Sequence, residues 1–350
     1  MSRLLSEKYS SLVPYTPGEQ PQDKKYIKLN TNESPFPPSS KAVEMAREEA
    51  ERLYLYPDPT YSRLCGKMAE LLGLDKSEIV FSNGSDEILN YAFMAYCDAE
   101  HPAVFPDITY GFYSVLADIN NIPYETIPLC EDFTIRVEDY CGLNKTIFLA
   151  NPNAPTGIPL FVSEIETIVR SNPNSVVVVD EAYVDFGGES CIPLIRKYDN
   201  LMVTQTFSKS RSMAGARLGF GAACPALIAD INAIRFSTNP YNVNRMTMAA
   251  GLGVLEDEEY TRANCRAIIA NREWTCAELE KLGFSTLPSG TNFVFTTCPA
   301  IPGGKLYETL KERGILVRHF GAERIKDYIR VTIGSREQME AFIEELKKIV

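Results

Sequence analysis

The sequence predicts an α/β protein: a large domain with a mostly parallel central sheet flanked by helices, followed by a smaller α+β domain. Three observations carry that expectation. The chain has 350 residues, more than one hydrophobic core usually serves, so two domains are expected. Strand-like and helix-like patterns alternate through its middle, and runs such as Val176 to Val179 are apolar and β-branched with no polar alternation, as strands buried on both faces require. Past Tyr241 the pattern changes to a long helical stretch and then two helices that would pack on a small sheet.

Taken in order, residues 1–37 are rich in Pro, Asn and charge, with one short strand candidate at Tyr26 to Leu29, and read as an extended N-terminal arm. The large domain is expected over 38–245. Helical spacing marks Ser40 to Leu53 and Tyr61 to Leu72, EIVFS (78–82) is a strand, Ser85 to Cys97 a helix, and a strand surrounds Val104. Then come strand TIFLAN (146–151), helix Ser163 to Arg170, and strands SVVVVD (175–180), LMVTQTF (201–207) and RLGFGAA (217–223). The smaller domain, 246–350, holds a helix around Glu256 to Leu282, strand NFVFTT (292–297), helix Lys305 to Arg313, strands ILVRHF and YIRVTI, and a closing helix from Arg336 to Lys348.

Composition excludes several function classes. A net charge of -11 with no basic stripe disfavours nucleic acid and anionic membrane surfaces as partners, so an anionic ligand must be captured by locally placed Arg, Lys or backbone N–H groups. The nine cysteines are scattered, odd in number and without a Cys-x-x-Cys pair, as expected of reduced, mostly buried thiols in a cytoplasmic protein. The first residues lack the apolar stretch of a secretion signal, and no apolar run approaches membrane-spanning length. His101 and His319 are the only histidines and neither has metal-ligand spacing to another ligand type, so no metal is expected; there is no Gly-x-Ser-x-Gly elbow either.

Four segments carry chemistry. TFSKSRSMAGARLGF (206–220) follows a buried strand and sets Lys209 among small hydroxyl residues, with Arg217 eight positions on. A Schiff-base lysine needs such a place, where its amine is partly deprotonated and hydroxyls and a guanidinium hold a phosphate alongside. SVVVVDEAYVDF puts Asp180 at the carboxyl end of an apolar strand, the edge where open α/β sheets bind ligands, with Tyr183 a short step further. A carboxylate there can pair with a pyridinium nitrogen and keep it protonated. SNGSDEIL (82–89) is a strand end, a Gly and a helix start, whose free N–H groups near Ser85 and Asp86 favour a phosphate; the Asp86 carboxylate must then point away from that anion. LANPNAPTG (149–157) runs a strand into a Pro-rich turn and allows a cis peptide before Pro155. Singly, each segment has a plainer reading: a solvated basic loop, a structural ion pair, a helix cap, a turn.

Together these segments resemble the fold-type I pyridoxal-phosphate (PLP) enzymes, specifically class II aminotransferases of the histidinol-phosphate aminotransferase kind. The resemblance spans almost the whole chain, from VPYTPGE (13–19) and LNTNESPFPP (29–38) through YPDPTYSRL (56–64), PDITYGFY (106–113) and NPYNVN (239–244) to GILVRHF and YIRVTIG. It implies that Lys209 carries PLP as a Schiff base, that Asp180 binds the pyridine nitrogen and Tyr183 the phenolic oxygen, and that Tyr110 stacks on the ring. Ser85, Asp86, Thr206, Ser208 and Arg217 would hold the phosphate, with Tyr56 reaching it from the neighbouring subunit of a homodimer whose active sites are shared across the interface. One position departs from the family: the Asn usual directly before Pro-Thr-Gly is Ala154, with Asn153 one residue earlier. Either Asn153 takes over the bond to the phenolic oxygen or Tyr183 holds the ring alone.

The implied reaction is transamination in which the freed Lys209 amine moves a proton, with an amino donor and a 2-oxo acid, expected to be 2-oxoglutarate, as partners. Arg330, Arg318, Tyr15, Asn32 and Tyr241 would select substrate, Arg330 clamping a carboxylate or a phosphate with its guanidinium fork. Three readings stand: histidinol-phosphate transamination in histidine biosynthesis; threonine-phosphate decarboxylation or aromatic amino acid transamination on the same fold; and a non-catalytic regulator. The last usually carries an added DNA-binding segment, for which this acidic chain has no room.

Overall fold

A computed structural model of the chain describes residues 2–350. The N-terminal segment contributes one short strand, β1 (Ile27–Lys28). Helix α1 (Ser40–Ala50) is capped by Ser39, whose hydroxyl accepts from Ala42 N–H, and α2 (Ser62–Leu72) stops at Gly73 in the left-handed region. The alternating run is β2 (Ile79–Ser82), α3 (Ser85–Tyr96), β3 (Ala103–Pro106), α4 (Phe112–Asn120), β4 (Tyr124–Ile127), β5 (Thr146–Ala150), α5 (Val162–Ser171), β6 (Val177–Asp180), β7 (Leu201–Thr206) and β8 (Gly219–Ala223). Then follow α6 (Pro225–Thr238), α7 (Arg245–Leu255), α8 (Glu258–Lys281), β9 (Ser285–Thr286), β10 (Phe293–Thr297), α9 (Gly303–Glu312), β11 (Ile315–Leu316), β12 (Arg318–His319), β13 (Tyr328–Thr332) and α10 (Arg336–Leu346). Among the described residues, no helix is long and apolar enough to cross a membrane.

Seven strands form the large sheet in the order β2-β8-β7-β6-β5-β3-β4, all parallel except β8, which runs opposite to both neighbours. The fold is therefore α/β with a mixed, mostly parallel sheet, and its strands are buried on both faces as their apolar runs require. The reversal of β8 matters for the site: its first residue, Gly219, is registered with the last residues of its neighbours, Ser82 and Thr206. One edge of the sheet thus gathers the ends of β2, β5, β6 and β7 and the start of β8.

A second, four-stranded antiparallel sheet has the order β12-β13-β10-β9 and builds its own core with α8, α9 and α10, around Val294, Ile329, Val331 and Phe342. The arm is fastened to this part, since β1 pairs in parallel with β11 and Leu29 enters the same core.

Several elements differ from expectation. Helix α1 ends at Ala50 instead of Leu53, leaving Leu53, Tyr54, Leu55 and Tyr56 exposed. ILVRHF is not one strand: Ile315–Leu316 pairs with β1 and Arg318–His319 with β13. Helices α4, α6 and α7 and strand β4 were not anticipated. Helix α7, within the stretch assigned to the smaller domain, packs Leu252, Val254 and Leu255 into the core beneath the large sheet. Its two glycines depress helix propensity, but a Cβ on Gly253 would lie 2.7 Å from Ala42 Cα. Close approach of α1 demanded glycine there.

Candidate active site

The gathered edge opens into a cavity of about 470 Å³, walled by Ala150, Asp180 and Thr206 from three adjacent strand ends and by Lys209 and Arg217 from the segment between β7 and β8. A second cavity of about 490 Å³ adjoins it and is lined by Tyr15, Asn30, Arg318 and Arg330. Tyr110, Ala154, Tyr183 and Lys209 line both, so the lysine sits at their junction.

Lys209 lies in the turn that follows β7. Its Nζ donates to the backbone carbonyl of Thr31 at 3.0 Å, and burial, helped by the nearby Arg330 cation, lowers its pKa to about 8. Asp180, the last residue of β6, is buried and receives two long hydroxyl contacts, from Tyr113 and Thr204, each at 3.3 Å, with the Ala182 backbone nearby. Burial, with the negative charge of Asp86, raises its carboxyl to about 7. A buried carboxylate so poorly satisfied calls for a cationic partner in the cavity. Tyr183 accepts from Asn32 Nδ2 at 2.9 Å and stands edge-on to Phe293.

At the other end of the first cavity stand hydroxyls and a guanidinium. Thr206 Oγ1 donates to Ser208 Oγ at 3.0 Å, and Arg217 Nη1 approaches the same Ser208 oxygen at 3.4 Å. Ser85 opens α3, with Gly84 before it at φ +82°, where a Cβ would fall 2.5 Å from Arg217 Nη2. A Cβ on Gly219 would fall 2.3 Å from Ser85 N, so the two glycines bring the helix start against β8 and the arginine. The Asp86 carboxylate was expected to point away from this cluster and instead joins it. It accepts from Arg217 Nη2 at 2.9 Å and from Tyr110 Oη at 2.8 Å, the guanidinium offering it the opposite charge.

Arg330, in β13, is partly buried over the rings of Phe293 and Phe320. Its Nη2 donates to Asn30 O at 3.0 Å, its Nε has no partner, and burial lowers its pKa. No carboxylate among the described residues pairs with it. Arg318 spends its guanidinium on the arm, donating to the carbonyls of Thr16 and Pro17 at 3.1 and 3.2 Å, and Tyr15 of the same arm packs edge-on against Phe112.

Not every anticipated residue comes to the cavities. Asn153 is buried and committed to the scaffold: its Oδ1 accepts from Thr109, and its Nδ2 donates to Ile108 O and Thr156 Oγ1. The expectation that it bonds the cofactor is corrected on that ground, while Ala154 faces both cavities. Tyr56 and Tyr241 stack on one another at 4.6 Å in a separate, exposed hollow and line neither of these two cavities, so Tyr241 does not join Arg330 within this chain. Thr31, Tyr113, Thr204 and Thr332 were missed. Thr204 was findable, since it lies two residues before Thr206 in β7 and faces the same side; Thr31, Tyr113 and Thr332 lie within the motifs LNTNESPFPP, PDITYGFY and YIRVTIG, but nothing local to those motifs shows which of their residues turn towards the site.

The residues fit PLP. An acid without a cation, an amine shifted towards neutrality, and a hydroxyl–guanidinium cluster at a helix start match a pyridinium, an aldehyde and a phosphate respectively.

The family model for aminotransferase class I and II matches residues 24–346. A histidinol-phosphate aminotransferase of Marinomonas sp. (strain MWYL1) is 49% identical over 353 residues, covering 100% of both chains. Another, of Brachyspira hyodysenteriae, is 46% identical over 100% of this chain and 99% of the other. Among solved structures, the histidinol-phosphate aminotransferase of Sinorhizobium meliloti in complex with pyridoxal-5'-phosphate superposes with a TM-score of 0.90, at 23% identity, over 100% of this chain and 99% of that one.

Proposed function

The chain belongs to the class I and II aminotransferases, among the histidinol-phosphate aminotransferases, and from that premise we infer that it exchanges an amino group between histidinol phosphate and 2-oxoglutarate. It is a PLP-dependent enzyme and the reaction belongs to histidine biosynthesis. The observation that carries the substrate reading is Arg330: a guanidinium with an unpartnered Nε and no carboxylate, facing the cavity next to Lys209. Such a group takes either the phosphate of one substrate or a carboxylate of the other.

When bound, PLP supplies an aldehyde that condenses with amines and a ring that accepts the electron pair left when a proton departs from the amine-bearing carbon. Lys209 Nζ would hold the cofactor through its aldehyde and, when free, would carry the proton off the substrate carbon; its lowered pKa keeps a usable neutral fraction near pH 8. Asp180 holds a proton on the ring nitrogen, because only a cation there relieves its buried charge. Tyr183 donates to the phenolic oxygen. Ser85, Thr206, Ser208, Arg217 and the free N–H groups of α3 would hold the phosphate. Asp86 keeps Arg217 and Tyr110 in place beside it. Arg318 ties the arm, with Tyr15, across the second cavity and limits water there.

Two further parts of the reading rest on the surface and the thiols. The exposed run Leu53, Tyr54, Leu55 and Tyr56, continuous with Tyr241, supports a homodimer in which these tyrosines serve the neighbouring active site. The nine unpaired cysteines support work in the reducing cytoplasm. The cores support an arm over 1–37 and two domains, with α7 assigned to the larger one.

The test is a steady-state assay of the PLP-loaded protein with histidinol phosphate and 2-oxoglutarate. Glutamate should form, and Arg330→Ala should raise the KM of both substrates by at least about 10-fold, the loss of a charge-assisted hydrogen bond or more. No glutamate, with carbon dioxide released from threonine phosphate, would overturn the reading.

A further inference from the structure

Asn32 is tied into the structure at four points. Its backbone N–H donates to Thr332 Oγ1 at 2.9 Å, and its carbonyl accepts from Asn292 Nδ2 at 2.9 Å. Its Oδ1 accepts from Thr332 Oγ1 at 3.0 Å, and its Nδ2 donates to Tyr183 Oη at 2.9 Å. The residue is buried at φ +57°, a backbone region that Asn tolerates better than most side chains.

Counting protons fixes the direction of the chain. Thr332 has one hydroxyl proton, and its oxygen already accepts from the Asn32 backbone. That proton goes to Asn32 Oδ1, which turns the amide NH2 towards Tyr183. A phenol whose oxygen accepts from an amide keeps its own proton to give, and Tyr183 lines the cofactor cavity. The amide that the family places at position 154 is absent, and Asn153 is fully engaged elsewhere.

We propose that Thr332 and Asn32 are positioning residues: Thr332 orients the Asn32 amide, Asn32 makes the Tyr183 hydroxyl a fixed donor to the phenolic oxygen of PLP, and this relay replaces the amide missing at position 154. The proposal rests on PLP binding in this cavity, and it gives Asn32 a role in tuning the cofactor instead of touching substrate. Thr332 stands two residues from Arg330 on β13, so one strand carries both the relay and the substrate clamp.

The test uses the PLP-loaded protein without substrate and reads the pH at which its visible absorption changes as the Lys209–cofactor linkage loses its proton. A donor on the phenolic oxygen draws negative charge away from that linkage, so losing the donor raises the midpoint. Thr332→Val should raise it by about 1 pH unit, Thr332→Ser should leave it near the parent value, and Thr332→Val combined with Tyr183→Phe should shift it no further than Tyr183→Phe alone. If Thr332→Val does not fold, Asn32→Asp carries the same test: its carboxylate accepts the Tyr183 proton and raises the midpoint at least as far. An unchanged midpoint in the folded variant, equal shifts for Val and Ser, or full additivity in the double variant overturns the relay. A parent protein that takes up no PLP overturns the cofactor reading itself, and the relay with it.

Discussion

At the scale of single residues, the site stores its chemistry as unmet charge. Asp180 titrates at about 7 in the folded chain, above its unfolded value of about 3.9. A raised carboxyl favours the protonated native state, so its destabilising effect is absent below about pH 4, grows as pH rises, and is complete above about 7. Cofactor-free Asp180→Asn should therefore be more stable than the cofactor-free parent at pH 8, by on the order of 1–3 kcal/mol, with the gap closing towards pH 4. Thermal melts across that range check it, and Glu181, also raised to about 7, acts equally in both proteins and cancels. The same substitution should lower turnover by about 100-fold or more, since the ring nitrogen loses its counter-charge. Lys209 moves the other way, down to about 8, so the rate at which cofactor-free protein captures PLP should climb with pH and reach half its maximum near 8. A capture rate flat between pH 6.5 and 9.5 would contradict that.

At the scale of elements, the phosphate end depends on how closely β8 meets the start of α3. Gly219 has no room for a Cβ against Ser85 N, whereas Gly304, in α9, would place one in ordinary contact with His319. Gly219→Ala should weaken PLP binding by at least about 10-fold by pushing the helix N–H groups out of line, while Gly304→Ala should leave binding within about 2-fold. Titration of the cofactor-free variants by fluorescence distinguishes them; equal affinities would show that the helix start does not hold the phosphate. The same element explains why the sequence was legible here only in part. Arg217 and Lys209 stood out within one motif, but that Arg217 meets the start of α3 follows from the reversed direction of β8, which neither strand pattern nor propensity encodes.

At the scale of the whole molecule, the two cavities lie between the large sheet and the arm-bearing smaller part, while the exposed tyrosines lie elsewhere. Leu53→Asp combined with Tyr54→Lys should convert a two-chain particle to a one-chain particle in light scattering. The single chains should also lose PLP faster on dialysis, the outcome expected of the proposed role of Tyr56 in a neighbouring site. A variant that stays paired, or single chains that keep PLP as well as the parent, would remove this surface from the active site.

The sequence by itself determined the α/β class and the order of most elements, and it nominated Lys209, Asp180, Tyr183 and Arg217, which line one cavity, because apolar periodicity and short motifs are local properties of the chain. It could not show that Asn153 is absorbed by the scaffold, that Tyr241 leaves its own cavity for Tyr56, or that Thr332 and Asn32 reach Tyr183. Those facts join segments far apart in the chain: Asn153 meets Thr109, Tyr241 meets Tyr56, and Asn32 meets Thr332 across 300 residues, where the packing of the arm onto β13 brings them within hydrogen-bond distance.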